Sequence, residues 1–306
     1  MAEVINDNKI KILRKYSCKL KQDSFGSISG EEERSLAFET TYNPDHMVTK
    51  EVRYNKANEI EEIHEYTYDA NKKVTCHHWT MPLDGVEETE KMERDDKGRL
   101  TREVKMYEEE EGESVSYTYD EKGNVIVAEY KDEEGQLTLR EDFEYTEQDT
   151  LSSRKTSDFV EGKNRLYKFI YNDKNRLAEQ QELNPDGSLI TRTLYEQDEN
   201  GKDVTIVQYN SKNDITQRVI TTYNEQGKQI KRVARGFFTR IGEFEYDEHG
   251  NLLDETTRDE NGAIINRNSF EYDENNRLVF ETYYEIDLTH SGRDTNIANR
   301  YEYEFY

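Results

Sequence analysis

Tyr246-Asp247-Glu248-His249-Gly250-Asn251-Leu252 decides the fold of this chain. Asp at the second position bonds its own backbone, and Gly at the fifth tolerates a positive φ, so the stretch is a tight turn between an aromatic and an aliphatic residue. Before it, Phe244 and Tyr246 alternate with Glu243 and Glu245. A two-residue period with one polar side is the pattern of a half-buried antiparallel strand.

The stretch recurs. Tyr119 to Val125 and Tyr272 to Leu278 are clean copies, and Tyr68 to Val74 and Tyr171 to Leu177 follow the same pattern. The copy at Tyr223 reads as one residue longer, ending at Ile230. The anchors Tyr42, Tyr68, Arg94, Tyr119, Tyr145, Tyr171, Tyr223, Tyr246 and Tyr272 are mostly 25 or 26 residues apart, with one double step after Tyr171. Arg94 shows that the aromatic is not obligatory. A weaker series runs half a period out of phase through Tyr54, Tyr130, Phe159, Leu183, Tyr209 and Arg258. The unit is therefore about 13 residues, one strand and one turn. Asn43-Pro44-Asp45 and Asn184-Pro185-Asp186-Gly187 place two of the three prolines at the turn phase.

About 20 strands follow from this spacing, and at about 4.8 Å each they make an elongated ribbon of roughly 90 Å if unclosed. The expected fold is all-β: tandem antiparallel β-hairpin repeats in one long, twisted or curved open sheet. Residues 1–37 lack the repeat and are expected to cap it, as a strand pair, with the repeat domain over 38–306. Lys9, Lys11, Arg14, Lys15, Lys19 and Lys21 make the cap basic around Tyr16.

These units resemble the YD repeats of the RHS and teneurin superfamily. Tyr119 to Val125, Tyr246 to Leu252 and Tyr272 to Leu278 carry the resemblance most closely, and it covers residues 40–284. It implies β-hairpins in a spiralling sheet, which in large members of the family encloses a toxin or effector domain. This chain is short for such a shell and lacks the Asp-Pro-Gly core signature, so an open sheet used for contact is expected.

Composition bounds the function. Lys plus Arg is 42 and Asp plus Glu is 67, a net charge of −25. Such a chain repels nucleic acid and anionic membrane surfaces. Neither a membrane span nor a secretory segment is apparent, which makes the expected location cytoplasmic, or secreted or at the surface if a leader has been removed. The 22 tyrosines give a thin core its apolar body with a polar tip.

Candidate chemistry is sparse. Cys76 and His78 share one face of a strand, and His64 lies near His78 if the hairpin turns at 69–73, a weak three-residue metal candidate. Residues 198–203 have some look of a calcium loop, but turn chemistry explains them and the closing Glu is missing. No cofactor, metal or enzymatic activity is expected. Glu243, Glu245, Glu271 and Glu281 are expected to form an acidic binding face. The expected function is binding of another macromolecule, a protein (basic by charge complementarity) or a glycan, through a broad sheet. The alternative is a cytoplasmic immunity protein or chaperone that neutralises a basic toxin or effector, and a polysaccharide-active enzyme is third.

Overall fold

A computed structural model describes residues 9–22, 28–286 and 295–306, with the side chains of 20–22 and 28–32 left aside. The described strands run in chain order: β1 (Ile10–Gln22), β2 (Ile28–Tyr42), β3 (Val48–Tyr54), β4 (Ile60–Tyr68), β5 (Val74–Met81), β6 (Val86–Arg94), β7 (Leu100–Tyr107) and β8 (Glu110–Tyr119). Next come β9 (Val125–Lys131), β10 (Leu137–Tyr145), β11 (Leu151–Asp158), β12 (Asn164–Tyr171), β13 (Leu177–Leu183), β14 (Leu189–Gln197) and β15 (Asp203–Asn210). The last are β16 (Ile215–Tyr223), β17 (Gln229–Arg235), β18 (Thr239–Tyr246), β19 (Leu252–Arg258), β20 (Ile264–Tyr272), β21 (Leu278–Glu285) and β22 (Thr295–Phe305).

Each strand pairs antiparallel with its neighbours in the chain, and β1 also pairs antiparallel with β22 over Ile10↔Phe305 to Cys18↔Ala298. The sheet is therefore a closed barrel of 22 strands, not the open ribbon expected from the repeat. The physical reason lies at its two ends. An open sheet would leave two edge strands with unpaired backbone groups, and closure removes both. The basic β1 meets the acidic β22: Lys11 and Arg14 pair with Glu304, and Arg34 of β2 with Glu302 at 2.6 Å. The segment expected as a cap thus supplies strands of the wall, and β2 runs across the boundary drawn at residue 38. Residues 1–8 and 23–27 of that segment, and the side chain of Lys21, lie outside the described residues.

The motif builds each turn in the same way. In the Tyr246 unit the Gly250 N–H donates to the Asp247 carbonyl, and the Asp247 N–H to the Asn251 carbonyl. Asp247 Oδ1 in turn accepts from the Asn251 N–H at 2.8 Å. Gly250 has φ +83°, and Asn276 takes the same place in the next unit at φ 60°. The Tyr223 unit has the standard length after all, with Gly227 at the left-handed position and Gln229 opening the next strand.

A bulge follows each such turn. Tyr246 opposes Leu252, but Glu245 opposes Asp254. A one-residue shift moves side chains to the other face of a strand. Following the register around the barrel, Tyr66, Tyr117, Phe143, Tyr167, Phe244 and Phe270 share one face. The most exposed mid-strand side chains, among them Glu65, Lys91, Glu144, Lys168, Glu196 and Arg267, lie on the other. Side chains on the concave side of a closed wall converge and shield one another, so the tyrosine face is the inner one.

The wall is one sheet thick. A circle of 22 strands is about 34 Å across before tilt widens it. The chain exposes 19954 Å², against about 13,400 Å² for a compact monomer of its mass. Few side chains are fully buried, and they are small, such as Val104, Ala128 and Ala298. In the register Val104 stands between Lys91 and Ser114, Ala128 between Tyr117 and Glu141, and Ala298 between Thr282 and Cys18.

Candidate functional site: the inner wall

Two layers of polar contact line the inner wall. The first is a ring at the end where even-numbered strands finish. There the anchor tyrosines donate to the carbonyl that opens the preceding strand: Tyr119 to Leu100 at 2.7 Å, Tyr145 to Val125 at 2.8 Å, Tyr171 to Leu151 at 2.8 Å, Tyr223 to Asp203 at 3.1 Å and Tyr246 to Gln229 at 2.9 Å. Tyr68 donates likewise to Val48. Where the anchor is not tyrosine, a long donor replaces it: Arg94 reaches the Val74 carbonyl and Gln197 the Leu177 carbonyl. Tyr42 and Tyr272 end β2 and β20 at the same place, and the Tyr42 carbonyl accepts from Tyr306 Oη. These residues are structural, and burial raises the pKa of Tyr68, Tyr119, Tyr145, Tyr171 and Tyr246.

The second layer holds tyrosine–carboxylate pairs. Tyr66 Oη donates to Glu51 at 3.0 Å, Tyr117 to Glu103 at 3.0 Å, Tyr130 to Glu141 at 3.3 Å and Tyr301 to Glu281 at 2.8 Å. Burial, then the Glu51 hydrogen bond and charge, push Tyr66 up to about 12. Burial followed by the Glu103 bond raises Tyr117 further. Around Glu281, burial favours the neutral acid, but Tyr301, Lys15 and Asn299 all donate to it and hold its pKa below the ordinary value. Glu141 is paired with Arg154, and Glu281 with Lys15. Glu51 and Glu103 have tyrosine donors and, among the described residues, no ion pair with a cation. A cleft of about 280 Å³ lies beside Glu103, lined by Glu90, Lys105, Glu113 and Tyr130 among others.

The acidic face expected from sequence is divided. Glu243, Glu245 and Glu271 point outward, and Glu243 is paired with Lys231 and Arg258. Glu281 points inward. Tyr272 opposes Leu278 but Glu271 opposes Phe280, so the bulge puts Phe280 with Glu271 and Glu281 with Phe270.

The same bulge takes apart the metal candidate. Tyr68 opposes Val74, and without a shift His64 would oppose His78. Beyond the bulge His64 opposes Trp79 instead. Cys76 and His78 do share a face, the outer one, where His78 Nδ1 lies 2.8 Å from Thr89 Oγ1. His64 faces inward, its Nδ1 2.8 Å from His77 Nε2, in a stacked column of Tyr66, His77, His64 and Trp79. Among the described residues no three His, Cys, Asp or Glu side chains converge as metal ligands. At residues 198–203, Asp198 Oδ1 accepts from the Asn200 and Lys202 N–H groups, so this carboxylate oxygen caps the turn.

Sequence reasoning missed the inner carboxylates. The available signal was the Tyr-x-Tyr spacing at Tyr66/Tyr68, Tyr117/Tyr119 and Tyr301/Tyr303, which sets a second phenol on the anchor's face.

The outer wall carries ion pairs such as Lys50–Glu65, Arg140–Glu129 and Arg267–Asp254. A lipid-facing barrel presents an apolar band about 25 Å tall there.

Solved structures that align with the chain include the TcdB2-TccC3 complex, with a TM-score of 0.47, 10% identity, and coverage of 100% of this chain and 19% of that one. The Photorhabdus luminescens Tc holotoxin pore aligns with a TM-score of 0.38 and 12% identity, over 86% of this chain and 17% of that one. A porin-like protein from Bacteroides uniformis aligns with a TM-score of 0.36 and 11% identity, over 97% of this chain and 99% of that one. The similarity to Tc toxin chains is distant. The chain spans about a fifth of the length of the Tc chains it matches. No family model and no curated protein matches it.

Proposed function

We propose that the barrel is a non-enzymatic binding module that grips a basic polypeptide through its inner wall. The observation that carries this is the layer of tyrosine–carboxylate pairs, in which Glu51 and Glu103 each accept from a phenol at 3.0 Å and have no cation of their own among the described residues. An inward carboxylate beside an aromatic face suits a Lys or Arg side chain, which gains an ionic hydrogen bond and a cation–π contact together. Net charge of −25 steers such a ligand inward before contact. The ion-paired outer wall supports a water-facing exterior, without membrane insertion.

Calorimetric titration of the full chain with a Lys/Arg-rich peptide, and with its Glu/Asp counterpart of equal length, tests the reading. The cationic peptide should bind and the acidic one should not. Glu51→Gln with Glu103→Gln should weaken binding about tenfold, and rising salt should weaken it further. Equal binding of both peptides, or salt-independent binding of a neutral oligosaccharide alone, would overturn the proposal.

A further inference from the structure

The two rims of the barrel differ. Each described turn after an even-numbered strand has a left-handed fourth residue, and all open with Asp or Asn except the β10–β11 turn, where Thr146 takes that place. Among the described residues, the opposite rim carries four turns that break this pattern: residues 82–85, 108–109, 159–163 and 236–238. Three of these place apolar side chains in water. Leu83 is 57% exposed, Phe159 56%, Val160 75%, Phe237 93% and Phe238 64%. These apolar tips stand six strands apart on one rim, between β5 and β6, β11 and β12, and β17 and β18.

Their charges differ in sign. The β17–β18 tip reads Arg235-Gly236-Phe237-Phe238-Thr239-Arg240, and Arg218 of β16 stands directly beside Arg235 on the outer face. Arg240 lies over the Phe238 ring at 5.2 Å. A groove of about 760 Å³ runs beside this tip, its apolar side formed by Phe237, Phe238, Ile264 and Ile286, with Arg240 at the tip and Asp259 and Glu260 on the far side. The β11–β12 tip reads Asp158-Phe159-Val160-Glu161, with Glu161 57% exposed and paired at 2.6 Å with Lys163 at the end of the same turn. One tip is basic with an apolar groove, the other acidic with two apolar side chains, and both stand on the same rim.

We propose that this rim is a self-association surface, on which the Phe159–Val160 tip of one copy seats in the Phe237–Phe238 groove of a second, with Glu161 against Arg235. Two copies meeting rim to rim about a two-fold axis perpendicular to the barrel axis make this contact twice. The acidic tip of each faces the basic tip of the other, the closed arrangement of an isologous dimer. The axis passes midway between β11–β12 and β17–β18, so a single rotation satisfies both contacts. Two barrels joined this way share one continuous interior.

Sedimentation equilibrium of the full chain across a concentration series tests this. The wild type should be a monomer–dimer mixture that shifts to monomer as salt rises. Phe237→Asp should abolish the dimer. Arg235→Glu and Glu161→Arg should each weaken it about tenfold, a change of about 1.4 kcal/mol. Mixed in equal amounts, these two charge variants should associate with each other again, because one of their two contacts is then Glu against Arg in exchanged positions and the other is unchanged. Recovery on mixing also shows that neither variant is simply misfolded. A wild-type chain that stays monomeric at every concentration, or charge variants that do not recover on mixing, would overturn the proposal.

Discussion

Gln197 Nε2 donates to the carbonyl oxygen of Leu177 at 2.7 Å, in the place where Tyr171 and Tyr223 make the same bond on either side. The requirement at this position is reach and a donor, which explains both Arg94 and the double step in the tyrosine series. Gln197→Leu should therefore cost about 1–3 kcal/mol, the penalty for leaving a shielded carbonyl unpaired, while Gln197→Tyr keeps the full stability. Urea unfolding of the two variants checks this, and equal loss in both would show that the donor is irrelevant.

Successive turns are locked to one another. Lys228 donates to the Gly250 carbonyl and lies 5.2 Å from the Tyr246 ring centroid, and Lys202 does the same to Gly227 and Tyr223. Gly250→Ala should cost about 1–2 kcal/mol through its left-handed backbone. An added Cβ would also stand 2.6 Å from Lys228 Nζ and displace it. Asn276→Gly, at the same turn position, should be nearly neutral. A thermal melt of Gly250→Ala matching the wild type would show that the turn tolerates a side chain.

Alkaline pH should open the wall. Tyr66, with its pKa pushed up to about 12 by burial and Glu51, holds its proton in the folded chain beyond the ordinary value of 10.0. A raised phenol pKa means that its stability contribution is intact below about pH 10 and is lost as pH rises toward the folded value, because the unfolded chain ionises first. The urea midpoint should fall over that range, together with the rise of phenolate absorbance. A midpoint that stays constant while the tyrosines ionise would refute this.

His77, on the inner wall, should titrate low. Burial, and then the neighbouring His64, depress His77 below 6.5, outweighing the opposing pull of Glu90, Glu88 and Glu51. The two rings share one hydrogen bond at 2.8 Å, which needs a neutral partner to accept it. Proton resonance titration should find His77 neutral at pH 7 and titrating below the ordinary histidine value. A midpoint above that value would mean that the carboxylates dominate.

The local half of this structure was legible in the residues. Asp247, Gly250 and their equivalents announce the turns, and Phe244 with Tyr246 announces the strand. What escaped was everything that depends on a one-residue shift. The bulge beside each Asp/Asn-type turn is invisible to simple alternation, and it moved Glu281 inward and separated His64 from His78. Closure escaped for another reason: hairpin repeats specify each neighbour but not the number at which the ends meet. The sign of charge on Lys11 and Arg14 against Glu302 and Glu304 was the available hint, and reading it required supposing that the two ends lie together.

One pairing in the barrel is unlike all the others. Every strand contacts its successor across a short connection, whereas β1 and β22 join residues such as Lys11 and Glu304 that stand 293 positions apart. Contact order is thus low everywhere except at this seam, where the entropy of closing the longest loop is concentrated. Hairpins should zip up first, and the seam should form last as a distinct slow phase. In pulse-labelled hydrogen exchange, amides of β1 that bond to β22 should gain protection after those of β12 to β15, so that an edge survives in the chain until its final step.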